Sequence, residues 1–100
     1  MNIRVTPKAR ERIARIAKDK NMDSPVIRII MEGFGWGGPS YGIALDKQKD
    51  NDHVENYEDV AYVVEKDLLE MGGEFRVDYQ NNFFAKGFTV IPAGWAGSSC

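Results

Sequence analysis

Few residues in this chain of 100 could do chemistry. Cys100 is the only cysteine and His53 the only histidine. A single cysteine forms no internal disulfide, which fits a reducing compartment. As a thiolate it is a soft metal ligand, but it needs others beside it. His53 has no cysteine or second histidine near it in sequence and reads as a lone surface imidazole. Asp46, Asp50, Asp52 and Glu55 cluster in one segment. They lack the glycine and the spacing of a calcium loop and read as a solvated hairpin end. The other acids are spread over turns and strand faces. Neither a carboxylate pair nor a nucleophile triad is apparent, so the chain reads as a binding protein and not an enzyme.

The densest signal is Gly33-Phe34-Gly35-Trp36-Gly37-Gly38-Pro39-Ser40-Tyr41-Gly42, which holds five of the ten glycines. Glycine admits φ > 0 and close approach of other atoms, so a loop of unusual shape is expected here. An indole left in water forgoes roughly 2–3 kcal/mol of burial. Trp36 is therefore expected to pack down on the strand face bearing Tyr41, Ile43 and Leu45. Gly33-x-Gly35-x-x-Gly38 also matches the dinucleotide fingerprint, with Glu58 about twenty residues on. That fingerprint needs a helix to open at the third glycine. Pro39 to Leu45 reads as a strand, and Pro39 stands where a P-loop would have its lysine.

The elements that position this segment follow from periodicity. Asn2–Val5 is expected as a short strand. Thr6-Pro7 opens a helix running to about Lys20, with Thr6 as cap and proline at the first helical position. Ala9, Ile13, Ile16 and Ala17 form its apolar face, Lys8, Arg12 and Arg15 line another, and Glu11 and Arg15 form an i,i+4 pair. Val26–Glu32 is rich in β-branched residues and predicts a strand, as does the alternation over 41–45. His53–Tyr57 and Val60–Val64 form a hairpin across Glu58-Asp59, and Glu65–Glu70 a short helix stopped by Gly72-Gly73. Glu74–Gln80 and Gly87–Ile91 are the last strands, with Phe75, Val77, Tyr79, Phe88 and Val90 inward. This predicts an α+β, mostly β domain over 1–91 and a mobile tail over 92–100.

The net charge of −2 hides an asymmetry. Residues 1–20 carry seven Lys/Arg against Glu11 and Asp19, while the remaining eighty carry six against thirteen acids. The basic segment reads as the solvated face of an amphipathic helix. No apolar run approaches the ~20 residues that span a bilayer. The expectation is a soluble, cytoplasmic protein without a membrane or nucleic-acid partner.

The order of pieces resembles the A-type iron–sulfur carrier (HesB/IscA-like) family. The resemblance rests on Val5-Thr6-Pro7-Lys8-Ala9, the strand Val26–Glu32, and Gly37-Gly38-Pro39-Ser40-Tyr41-Gly42-Ile43-Ala44-Leu45-Asp46. Lys66-Asp67-Leu68-Leu69, Val77-Asp78-Tyr79, Gly87-Phe88-Thr89 and a Gly/Ser tail ending in cysteine continue it. It implies a compact β-sandwich-like domain with one N-terminal helix and a short second helix. It further implies homodimers or higher oligomers that bind iron or an iron–sulfur cluster, with apo-protein cluster acceptors or an assembly scaffold as partners.

Family members use a cysteine in the glycine loop and a Cys-x-Cys pair near the C-terminus, since thiolates hold iron–sulfur clusters. The resemblance places Trp36 at the loop ligand, Trp95 near a tail ligand and Cys100 as the remaining thiol. Two explanations stay open. The chain has lost its metal site and keeps an interaction role, or the tryptophans stand where cysteine or selenocysteine belongs. The selenocysteine codon UGA and the tryptophan codon UGG differ by one base. A carrier, a metal-free scaffold and a thiol or selenol redox protein are the functions these residues allow.

Overall fold

A computed structural model describes residues 2–36, 38–81 and 86–92. In chain order it contains β1 (Ile3–Val5), α1 (Pro7–Asp19), β2 (Val26–Gly35), β3 (Gly38–Leu45), β4 (Asp52–Tyr57), β5 (Val60–Glu65), α2 (Lys66–Gly72), β6 (Phe75–Asn81) and β7 (Lys86–Pro92). The helix start follows the expected chemistry. The Thr6 hydroxyl accepts from the Ala9 amide at 3.3 Å, and Pro7 occupies the first turn. Ala9, Ile13 and Ala17 are buried along one stripe of α1. The β4–β5 hairpin turns at Glu58, which holds φ 57°. At the end of α2, a Cβ on Gly72 would come within 2.5 Å of the buried Phe75 ring, so only glycine lets the helix settle there.

The strands form one continuous sheet in the order β1-β6-β7-β3-β2-β5-β4. Its hairpin pairings are antiparallel, whereas β1–β6 and β2–β5 are parallel. The sheet curls into a nearly closed barrel. Its two edges, β1 and β4, are tied by side chains. Glu55 Oε2 on β4 accepts from the Asn2 amide at 2.8 Å and the Ile3 amide at 3.0 Å. The Tyr57 hydroxyl donates to the Ile3 carbonyl at 2.5 Å. Two side chains thus satisfy main-chain groups that an open edge would leave to water.

Inside the curl lies a single core. It joins Ile3 and Val5 of β1, Ala9 and Ile13 of α1, Ile27 and Ile29 of β2, Tyr62 and Val64 of β5, and Phe75 and Val77 of β6. The Tyr41 and Phe75 rings meet edge-on at 4.9 Å, and Tyr57 and Tyr62 at 5.5 Å. Such pairs add to the burial of their area.

His53 is not the lone surface imidazole its sequence context suggests. Its Nε2 lies 2.7 Å from Glu55 Oε2, in a part-buried contact. Burial alone would push the Glu55 carboxyl up, but hydrogen bonds from His53 and the Asn2 and Ile3 amides outweigh it and hold it below its usual value. A depressed folded-state value means the stabilisation is fully present above the unfolded carboxylate range, about pH 4, and is lost as pH falls from there through the lower folded-state value. Glu55→Ala is expected to cost about 1–3 kcal/mol at neutral pH, because it strips two amides of their acceptor. It should also speed amide exchange at Ile3. Urea titration with hydrogen exchange checks this, and unchanged Ile3 protection would mean the edges are joined by other contacts.

Candidate functional site

The glycine-rich stretch is not a loop. β2 continues through it to Gly35 and β3 begins at Gly38, with Gly35 opposite Gly38, Phe34 opposite Pro39 and Gly33 opposite Ser40. The register shifts between Met31 and Gly33, which makes Glu32 the extra residue of a β-bulge. Beyond the bulge the two strands form an exposed arm. Gly38 takes φ 101°, open to glycine and strained for other residues. Because β3 is a strand, no helix receives a pyrophosphate, and the dinucleotide reading fails on geometry.

Trp36 stands at the turn of this arm and is 108% exposed. It does not pack on the face of Tyr41, Ile43 and Leu45. At ~3.4 Å per residue, Leu45 lies roughly 24 Å down the strand from Gly38, beyond the reach of an indole. Tyr41 is committed to the core against Phe75. Phe34, 77% exposed, accompanies Trp36 on the arm. The fold therefore presents position 36 outward on a two-stranded support.

The acidic segment is likewise more structured than a solvated hairpin end. Arg28 on β2 is buried and spends its guanidinium on it. Nε donates to Asp46 at 2.6 Å, Nη1 and Nη2 fork onto Asp52 at 2.7 Å each, and Nη2 also reaches the Lys47 carbonyl at 2.8 Å. The Asp52 side chain is 1% exposed. The Arg28 hydrogen bonds hold the Asp52 carboxyl below its usual range, and Asp52 in turn raises Arg28. Asp46 is lowered first by the Lys47 amide and then by Arg28. This is a structural clamp between β2 and the 46–52 turn, with all three guanidinium nitrogens engaged. In the sequence the one signal of this clamp is Arg28 itself, a cation inside the apolar run of 26–31.

The Glu11–Arg15 pair expected on α1 is not among the ion pairs of the described residues. Among those residues, no three His, Cys, Asp or Glu side chains come together as a metal ion would require. None of the helices described there is long and apolar enough to cross a membrane. A cavity of about 220 Å³ under α1 is lined by Ile13, Ile16, Met22, Ile27, Leu45, Phe88 and other apolar residues, without the convergent polar groups that orient a small ligand. Trp95, Cys100 and the tail beyond Pro92 lie outside the described residues.

No family model matches the chain. A protein of Aquifex aeolicus (strain VF5) is 30% identical over 96 residues, spanning 95% of this chain and 83% of that protein. A crystal structure of IscA with the [2Fe–2S] cluster superposes with a TM-score of 0.72 at 20% identity, over 88% of this chain and 82% of that one. Escherichia coli SufA, involved in biosynthesis of iron–sulfur clusters, gives 0.75 at 15% identity, over 92% and 81%. The chain belongs to the A-type iron–sulfur carrier (HesB/IscA-like) family. Its barrel is the IscA and SufA fold.

Removing Arg28 would leave Asp52 as a buried charge without its partner. Arg28→Met is expected to cost about 3–5 kcal/mol, while Arg28→Met with Asp52→Leu should regain most of it. Chemical denaturation of both variants checks this. Equal losses in the two would show that packing, and not charge pairing, sets the cost.

Proposed function

We propose that this chain serves iron–sulfur cluster assembly as a binding and carrier protein, and that it works through the tip of the β2–β3 arm. The observation that carries the reading is the outward, unpacked position of residue 36 in a fold shared with IscA and SufA. A side chain held there meets a cluster, an iron ion or a second protomer before any barrel residue does. The IscA structure contains a [2Fe–2S] cluster, which supports cluster or iron as the cargo.

The residues present do not fit a cluster. A [2Fe–2S] centre takes four protein ligands, mostly thiolates. This chain offers one thiol, Cys100, and a symmetric dimer two. Trp36 is the mismatch: an indole with nothing to pack on gives up burial that tryptophan ordinarily takes. That misfit supports cysteine or selenocysteine as the chemistry proper to position 36, and Trp95 falls under the same reading. The exposed pair Phe34 and Trp36 supports a second one, in which the arm is a metal-free docking element for a partner in assembly.

Trp36→Cys tests the carrier reading, because a dimer then counts two thiols from position 36 and two from position 100. Anaerobic reconstitution of the variant is expected to give visible iron–sulfur absorption, and the parent chain none. A stoichiometric cluster in the parent would refute the ligand count. A folded but colourless variant would remove the carrier reading and leave the docking one.

A further inference from the structure

A second surface lies away from the arm, between α1 and β6. Lys8, Glu11, Arg12 and Arg15 sit at i, i+3, i+4 and i+7, so they share one helix face. Below them Tyr79 and Asn81 of β6 form a floor, and the groove encloses about 320 Å³. The Arg12 guanidinium carbon stands 5.5 Å from the centre of the Tyr79 ring. Tyr79 is itself fixed against Phe88 at 4.9 Å.

None of Lys8, Arg12 and Arg15 has an ion-pair partner among the described residues. A solvated basic face ordinarily interleaves its acids at pairing distance, and here the single acid of the groove, Glu11, is unpaired too. The Asp78 carboxyl, held below its usual value by the Thr6 hydroxyl first and to a lesser extent by Lys8, has its Oδ1 occupied by that hydroxyl at 2.7 Å and the Tyr79 amide at 2.8 Å. Arg12 is thus held on an aromatic plate, and none of the three cations is taken up in an ion pair among the described residues. Placement of that kind lowers the ordering cost of binding an anion.

We propose that this groove docks a carboxylate-rich segment of a partner protein. Charge complementarity selects that occupant. The positive excess is confined to the first twenty residues, where seven cations face two acids, and the other eighty carry thirteen acids against six cations. A nucleic acid long enough to bind well would run from the groove onto that acidic remainder. A short acidic peptide fits within the ~20 Å length of α1. The inference does not depend on whether the arm carries metal.

The test titrates the isotope-labelled full chain with a glutamate decamer, and in parallel with a lysine decamer and a thymidine decanucleotide. The glutamate peptide is expected to shift amides of residues 8–15 and 79–81 at low salt, with the shifts fading as salt screens the contact. Lys8→Glu/Arg12→Glu/Arg15→Glu is expected to weaken binding at least about tenfold. Lys8→Gln/Arg12→Gln/Arg15→Gln serves as the milder variant and should show the same direction while keeping the helical circular dichroism of the parent. Shifts scattered over the whole surface, unchanged affinity in the glutamine variant, or tighter binding of the oligonucleotide at the same residues would each overturn the proposal.

Discussion

Closure of the sheet by two side chains is the constraint on which the rest of the structure depends. A seven-stranded sheet left open would present two unpaired edges to water, and only α1 and the short α2 are at hand to cover its faces. Glu55 and Tyr57 bring β4 against β1 and occupy the main-chain groups there. The core residues of six strands and α1 can then share one interior, with the part-buried Tyr57 of β4 packed against it. Ionised Glu55 accepts more strongly from the two amides and His53 than its protonated form would, so part of the seam's strength rests on that carboxylate and the rest on Tyr57.

Once the barrel is closed, the β2–β3 arm is what it cannot contain. The bulge at Glu32 and the run of exposed positions from Met31 to Trp36 take the chain out of the core. The Arg28 clamp holds the root of β2 to the 46–52 turn, so the arm leaves from a fixed base. Its glycines suit a narrow ribbon that approaches another molecule closely, where larger side chains would keep that molecule at a distance. A clamped root and a projecting tip suit the delivery or docking proposed for the arm.

Much of this was legible in the residues. The Thr6-Pro7 cap, the stripe of α1, the Glu58-Asp59 turn and the alternation of Phe75, Val77 and Tyr79 are local signals, and each appears where its periodicity places it. The parallel pairings β1–β6 and β2–β5 were not legible, because they join segments far apart in sequence and leave no local pattern. Trp36 was misread for a related reason. Its size argues for burial, but burial needs a surface within reach, and strand pairing through Gly35 and Gly38 removed it. Asp52 looked solvated because its partner, Arg28, lies 24 residues away on β2. His53 looked alone because no cysteine or second histidine stands beside it, whereas Glu55, two residues along β4 and so on the same face, is its partner.

The most direct measurement of the tip's role is paramagnetic line broadening in the anaerobically iron-loaded Trp36→Cys chain, resolved by residue. Broadening centred on residues 33–35 and 38–40, sparing 46–57, is the expected result. Broadening centred on Asp46 and Asp52, or on His53 and Glu55, would place the metal on the barrel and contradict the assignment of the arm as the working site.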